Sequence, residues 1–134
     1  MFESPRCAVG AAIDVQRDFL ARSWIESLDV RVRIGIHSGY PTSTDDNYIG
    51  VDVNTAARIC AVGHGGQIVV SANTREAVKA SEPSGVRFTA LGNHKLRGIT
   101  KPVPLFQVTT TGPAHKVPTA AEVLNARGLG VCLR

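Results

Sequence analysis

Two polar side chains stand four residues apart in the alanine-rich segment GVDVNTAARICAVGHGG at residues 50–66, namely Asn54 and Arg58. Residues i and i+4 lie on the same stripe of an α-helix, so this amide and this guanidinium can converge on one ligand. A guanidinium presents a planar fork of donors that matches phosphate oxygens, and an amide can bind a ribose oxygen. On spacing alone, a solvent-exposed pair without a ligand is the commoner arrangement, and both interpretations remain open.

The helix that would position this pair has recognisable ends. Asp52 fits an N-cap or a first-turn acid, and Gly63 is a typical helix stop. Between them, the small residues Thr55, Ala56 and Ala57 would let the helix lie close to a sheet. We therefore expect a helix of roughly three turns that carries Asn54 and Arg58 on one stripe.

The rest of the chain predicts an α/β or α+β sheet with helices packed on it. Residues 30–36 alternate strictly, with Val and Ile on one face and Arg31 and Arg33 on the other. Helical spacing of apolar residues predicts an amphipathic helix from about Ala8 to Trp24. The other expected elements are a loop at 37–47, a strand at 67–71, a helix capped by Ser71 that runs to about Ala80, and strands at 85–91 and 103–109.

The length of 134 residues suits one domain. We place this domain at residues 1–109. Residues 110–134 contain a threonine run, two prolines and weak periodicity, which predicts a poorly ordered tail or linker.

The charge pattern does not favour nucleic-acid binding. The net charge is +4 and the pI is about 9.3, but the basic residues are scattered, with only a loose cluster at Lys95, Arg97 and Lys101. A nucleic-acid surface needs a concentrated basic stripe or interleaved aromatic residues. A basic nucleic-acid-binding domain is therefore the weakest of the functional hypotheses.

The sequence predicts a cytoplasmic protein that does not enter a membrane. No segment approaches the ~20 apolar residues of a membrane span, and the N-terminus does not resemble a signal sequence. Cysteines at 7, 60 and 132 show no CxxC spacing, so we expect reduced thiols rather than a disulfide framework or a zinc site. The four histidines likewise lack a metal-ligand spacing.

Three segments in order resemble the second half of the class III nucleotidyl cyclase catalytic domain, the family of adenylyl and guanylyl cyclases. They are VRVRIGIHSG, YIGVDVNTAARICAVGHGGQIVVS and LGNHKLRGITKPVPLFQV. The match runs from about Phe2 to Val108 and looks most like the actinomycete-style bacterial members. The resemblance implies an incomplete ferredoxin-like α+β domain that dimerises head to tail and uses ATP or GTP at sites shared between two chains.

The resemblance also implies roles for four residues. The Asn and Arg of the family's VNxAAR motif, which support the ribose and the α-phosphate in the transition state, correspond to Asn54 and Arg58. Arg97 matches the position that contacts the triphosphate. Asn47 matches a residue that reads the purine and is typically Asp in adenylyl cyclases, so the base preference stays open.

Two motifs of the family are absent from the sequence. Family members begin with a metal-binding Asp in an FxDIxGFT-like segment and later present a second Asp in a hairpin. Asp45, Asp46 and Asp52 do not occupy those positions. The family implies Mg²⁺ or Mn²⁺, but we find no metal ligands in this chain, and we expect unpaired strand edges where the opening strand is missing.

These features leave two leading hypotheses. The first is a truncated cyclase domain of cyclic-nucleotide signalling that keeps Asn54 and Arg58 but is not active alone. The second is a regulatory binding module that pairs with an intact cyclase as a heterodimer. A head-to-tail homodimer would hold the transition-state donors without the metal-binding carboxylates, so we expect it to be inactive.

Overall fold

The computed structural model describes residues 2, 4–22, 30–39, 42–44, 47–111 and 130–133, with the backbone alone described at 42–44, 47–49 and 130–133. Its helices are α1 (Pro5–Ala21), α2 (Val51–Val62) and α3 (Ala72–Lys79). Its strands are β1 (Arg31–Ile36), β2 (Thr42–Thr44), β3 (Asn47–Ile49), β4 (Ile68–Ser71), β5 (Val86–His94), β6 (Val103–Thr110) and β7 (Gly130–Leu133).

The strands form a mixed five-stranded sheet in the order β5-β6-β4-β1-β7, and β2 and β3 form a separate hairpin. Strand β1 is parallel to both β4 and β7. Strand β6 is antiparallel to both β4 and β5. The α+β fold class, with helices packed on a sheet, is therefore confirmed.

Apolar side chains cover both faces of the sheet. One buried cluster joins α1 and α3 to one face and consists of Val9, Ala12, Ile13, Ile68, Val70, Val78 and Val108. The other cluster lies on the opposite face, under α2, and consists of Ile59, Val69, Leu96 and Leu105. Each buried Val, Leu or Ile contributes about 1.5–3 kcal/mol of hydrophobic stabilisation, so the sheet is held between two helical layers.

Strand β1 takes part in both layers because its side chains alternate between the faces. Ile34 and Ile36 pack against the cluster under α1 and α3. On the α2 side, Gly35 lies against Cys60, and a Cβ at position 35 would stand 2.6 Å from the Cys60 Cα. The absence of a side chain at Gly35 thus lets α2 lie directly on the strand.

The helix boundaries follow local sequence signals. Asp52 lies in the first turn of α2 and Gly63 is its C-cap, as expected. The side chain of Ser71 caps α3 by accepting a hydrogen bond from the Thr74 N–H, also as expected. Helix α1 begins at Pro5, three residues before the expected Ala8, because the fixed φ of proline suits the first turn.

The predicted loop at 37–47 contains a strand that sequence analysis missed. Strand β2 at Thr42–Thr44 pairs with β3 at Asn47–Ile49. The segment has no alternation of apolar and polar residues, so nothing in it signals a strand. The prediction of a loop is therefore wrong for the hairpin.

The predicted tail also contributes a strand. Gly130–Leu133 pairs with β1 along Arg31–Ile34, so the expected unpaired edge does not occur at β1. Pairing across about a hundred residues leaves no local pattern in the sequence. Residues 112–129 and 134 lie outside the described part of the chain, and the domain boundary at 109 stays a prediction.

Two further observations concern the cysteines and the membrane. Cys60 is disulfide-bonded, so the expectation of reduced thiols is wrong at this residue. Cys7 is free and exposed.

Among the described residues, no helix is long and apolar enough to cross a membrane.

Candidate functional site

Helix α2 turns one side to the sheet and carries the predicted pair on the other. Thr55, Ile59 and Cys60 are its buried residues. Asn54 and Arg58 are exposed, one helical turn apart. Neither side chain makes a hydrogen bond or an ion pair with another described residue, so the structure leaves the donors of both available to a ligand.

The C-terminal end of α2 is fastened to β1 by Arg33. Its Nη1 donates to the carbonyl oxygens of Ala61, at 3.5 Å, and Gly63, at 3.4 Å. A cation at this end of a helix also interacts favourably with the helix dipole. Arg33 therefore orients the helix from the same face of β1 on which Gly35 lies.

The N-terminal end of α2 is fastened by His37, which follows β1 directly. Its Nε2 lies 3.2 Å from Oδ1 of Asp52, and its Nδ1 lies 2.8 Å from Oγ of Ser71. Sequence analysis did not assign a role to His37. The period-two alternation that places Arg31 and Arg33 on one face of β1 could have found it, because the same face continues to residues 35 and 37.

Arg97 lies on the same face of the sheet as Arg58. It is exposed in the turn between β5 and β6, and the neighbouring Leu96 is buried in the cluster that also contains Ile59 of α2. The structure therefore places Arg97 and Arg58 on one side of the sheet but does not bring them into contact. Asn47 begins β3, and its side chain is outside the described part, so its role stays a prediction.

Apolar side chains flank the polar pair at the start of α2. Val51 is 74% exposed and Val53 is 37% exposed. Valine gains by burial, and exposed apolar patches beside polar groups commonly mark interaction surfaces. Val51 lies on the same stripe of α2 as the polar pair, because it precedes Asn54 by three residues and Arg58 by seven, whereas Val53 points to another side of the helix.

The donor set of the described residues does not fit a divalent-ion site. No group of three or more His, Cys, Asp or Glu residues that could hold a metal ion occurs among them. Asp45 and Asp46 lie outside the described part.

The fold and the placement of these donors define a class of protein. An α+β sheet with helices packed on it is the fold that the cyclase resemblance implies. Residues 6–110 match the family model of the adenylate and guanylate cyclase catalytic domain. The chain belongs to this family.

Two relatives are similar to the chain over part of their length, and one of them is an adenylate cyclase. The chain is 35% identical over 111 residues to an uncharacterised protein of Mycobacterium tuberculosis, covering 83% of this chain and 36% of that protein. It is 39% identical over 85 residues to the receptor-type adenylate cyclase GRESAG 4.2 of Trypanosoma brucei brucei, covering 59% of this chain and 15% of that protein. The chain thus spans about a third or less of the length of these relatives.

Solved structures match in the same way. An adenylate cyclase from Trypanosoma brucei, described in its monomeric state, superposes with a TM-score of 0.72 at 26% identity over 84% of this chain and 66% of that chain. An adenylate/guanylate cyclase/hydrolase from Silicibacter pomeroyi gives 0.71 at 28% identity over 83% and 66%. The fold is that of part of a cyclase catalytic domain.

Proposed function

We propose that this chain supplies the nucleotide-contacting helix of a cyclase catalytic domain that acts on ATP or GTP. The observation that carries the proposal is the exposed pair Asn54 and Arg58 on α2, a helix fixed to β1 at both ends. In this proposal Arg97 contacts the triphosphate from the turn on the same face of the sheet.

The proposed chemistry is the attack of the ribose 3′-oxygen on the α-phosphorus, with release of pyrophosphate. Negative charge builds up on the α-phosphate oxygens in the transition state. Arg58 donates to these oxygens and Asn54 donates to the ribose oxygen, so both stabilise the transition state electrostatically. Fixing α2 at both ends keeps these donors preorganised, which is the condition under which such donors are most effective.

These 134 residues are proposed not to catalyse the reaction alone. The support is the sequence itself, which contains neither segment that carries the metal-binding carboxylates of the family. A second chain or a further segment must supply those carboxylates. The exposed Val51, on the stripe of Asn54 and Arg58, favours an interface at this surface, consistent with a dimer whose active site uses both chains.

A complementation assay tests this proposal. The partner is an intact cyclase of this family whose own motif Arg is replaced by Ala, assayed for cyclic nucleotide and pyrophosphate with ATP or GTP and Mg²⁺ or Mn²⁺. We expect no product from the chain alone and restored turnover when the chain is titrated into the partner.

The matched variants are Arg58→Ala and Arg17→Ala. Arg58→Ala removes the guanidinium that is proposed to donate hydrogen bonds to the α-phosphate, and this variant should abolish the restored turnover. Arg17→Ala removes an exposed helical arginine on α1, on the opposite face of the sheet, and should leave it intact. Metal-dependent product from the chain alone that disappears in Arg58→Ala would contradict the proposed dependence on a partner.

The second candidate function is a regulatory module that binds an intact cyclase. The exposed Val51 on α2 favours it, because this side chain offers an apolar contact without requiring turnover. Titration of the chain into an unmodified cyclase should then change its rate in a dose-dependent manner, and Val51→Asp should weaken that effect. The cytoplasmic location and the preferred purine remain predictions.

A further inference from the structure

The imidazole of His37 joins three elements at the end of the sheet that is nearest Asn54. His37 follows the last residue of β1, Ser71 ends β4, and Asp52 lies in the first turn of α2. The His37 side chain is only 8% exposed, and its two ring nitrogens lie 2.8 Å from Ser71 Oγ and 3.2 Å from Asp52 Oδ1. One buried ring therefore connects the sheet to the helix that carries the proposed donors.

We infer that His37 is a positioning residue for the first turn of α2, with a proton on Nε2 that it donates to Asp52. An ionised carboxylate can only accept a hydrogen bond, so Nε2 must be the donor. In a neutral imidazole the other nitrogen is then an acceptor. In that form the hydroxyl of Ser71 donates to Nδ1.

The neighbouring hydroxyls are compatible with this proton order. Ser71 Oγ also accepts from the Thr74 N–H at 3.3 Å, so it acts once as a donor and once as an acceptor. The Thr74 hydroxyl lies 3.4 Å from the carbonyl oxygen of Ile36, to which it can donate, and accepts from Ser38 Oγ at 3.1 Å. Ser71 Oγ also lies 3.2 Å from Thr74 Oγ1, where either hydroxyl could donate, and each of these polar groups has a partner.

The first turn of α2 has no side-chain cap, and the contact with His37 fixes it to the sheet. Its N-cap is Gly50, with a φ of 149°, a conformation that residues with a Cβ rarely adopt. An uncapped turn leaves its N–H groups without an internal acceptor and frays easily. The bond from His37 to Asp52 fixes this turn to the sheet two residues before Asn54.

The chain after His37 closes around the same carboxylate. A Cβ at Gly39 would stand 2.7 Å from Oδ1 of Asp52, so only glycine fits there without displacing that side chain. Arg33, Gly35 and His37 are alternate residues along β1 and directly after it. They contact α2 in order from its C-terminal to its N-terminal end. Of these three residues, His37 is the one whose contact in the helix lies closest to Asn54.

A hydrolytic Ser-His-Asp triad is the alternative interpretation of these three residues. The nucleophile of such a triad must be open to substrate. Ser71 is 1% exposed, and its oxygen already caps α3. The buried position of Ser71 therefore supports a positioning role and not nucleophilic catalysis.

The proton order is tested by nitrogen NMR on the full chain at about pH 8, where an ordinary histidine is neutral. Long-range ¹H–¹⁵N correlations assign His37 by comparison with His37→Gln, and His64→Gln, at an exposed position, is the control. We expect an Nε2–H signal of His37 that is protected from solvent exchange. This protection should persist in Asp52→Asn, which keeps an acceptor oxygen, and disappear in Asp52→Ala.

Two substitutions of His37 test its contacts with Asp52 and Ser71 separately. The longer side chain in His37→Gln can still reach Asp52, whereas the shorter one in His37→Asn retains only the contact with Ser71. We expect the amide of Asn54, which donates to the Gly50 carbonyl, to exchange roughly tenfold faster in His37→Asn than in His37→Gln, as expected for one lost hydrogen bond. Equal exchange in the two variants, or an Nδ1–H tautomer, would overturn the inference.

The role of Asn54 in this inference rests on the proposed function, but the connection itself does not. Binding of ATP to the complex with the partner cyclase, measured for Arg58→Ala and Asn54→Ala, reports on the proposed function. Amide exchange and the histidine tautomer, measured without nucleotide, report on the connection. If the His37 variants do not fold, the exchange of the Asn54 amide can be compared between Asp52→Asn and Asp52→Ala instead. Asp52 is partly exposed, so these substitutions disturb the core less.

Discussion

Gly35 of β1 lies directly against Cys60 of α2, and a Cβ at position 35 would stand 2.6 Å from the Cα and 2.8 Å from the Cβ of Cys60. Real side chains do not approach this closely, so α2 can lie on the strand only because residue 35 has none. The same contact sets the height of α2 above the sheet, and with it the position of Asn54 and Arg58. The contact at Gly35 therefore affects both the stability of the domain and the position of Asn54 and Arg58.

The substitution Gly35→Ala should lower the free energy of unfolding by about 1–3 kcal/mol, because the added methyl group overpacks the contact with Cys60. The measurement is urea denaturation. Gly10→Ala is the matched control: nothing lies within 4 Å of a Cβ at Gly10 in α1, so alanine should stabilise the helix by about 0.5–1 kcal/mol. A destabilisation of the same size in both variants would contradict the role of the close contact.

Neighbouring substitutions in the β5–β6 turn should separate stability from nucleotide binding. Leu96 is 4% exposed in the cluster under α2, so Leu96→Ala should cost about 2–5 kcal/mol in unfolding free energy. Arg97 is exposed, so Arg97→Ala should change that value by less than about 0.5 kcal/mol. In the complex with the partner cyclase, Arg97→Ala should instead weaken triphosphate binding, measured by titration with ATP. Unchanged affinity would remove Arg97 from the proposed site.

The sequence predicts the parts of the fold that local signals determine. The alternation at residues 30–36 gives β1, and Asp52 and Gly63 mark the ends of α2, because strand periodicity and helix capping act over a few residues. The spacing of Asn54 and Arg58 gives their common stripe for the same reason. These predictions need no knowledge of what packs against the element.

The features that the sequence does not reveal depend on contacts between distant segments. His37 and Asp52 are fifteen residues apart and meet only because α2 returns over β1. Strand β7 pairs with β1 from the far end of the chain, and the short polar hairpin β2–β3 lacks apolar alternation. Period-two alternation could have assigned His37 to the face of Arg33, but not its partner.

The cap of α3 gives a further stability prediction. In Ser71→Ala the Thr74 N–H loses its acceptor and His37 loses its donor, so unfolding free energy should fall by about 1–2 kcal/mol. Ser84→Ala, in the exposed turn before β5, is the control and should stay within about 0.5 kcal/mol. Thermal denaturation of both variants measures the difference. If Ser71→Ala is as stable as Ser84→Ala, the cap does not contribute to α3.

The purine preference is tested at Asn47, the residue that the family resemblance assigns to base reading. An Asp carboxylate only accepts hydrogen bonds and suits the exocyclic amine of adenine, whereas an Asn amide both donates and accepts and can serve either purine. Asn47→Asp should therefore raise the ratio of ATP to GTP affinity about tenfold, the effect of one charge-assisted hydrogen bond. Competition between ATP and GTP for the complex with the partner cyclase measures this ratio. Thr44→Ser, in the other strand of the same hairpin, should leave the ratio unchanged, and an equal ratio in Asn47→Asp would exclude residue 47 from the base site.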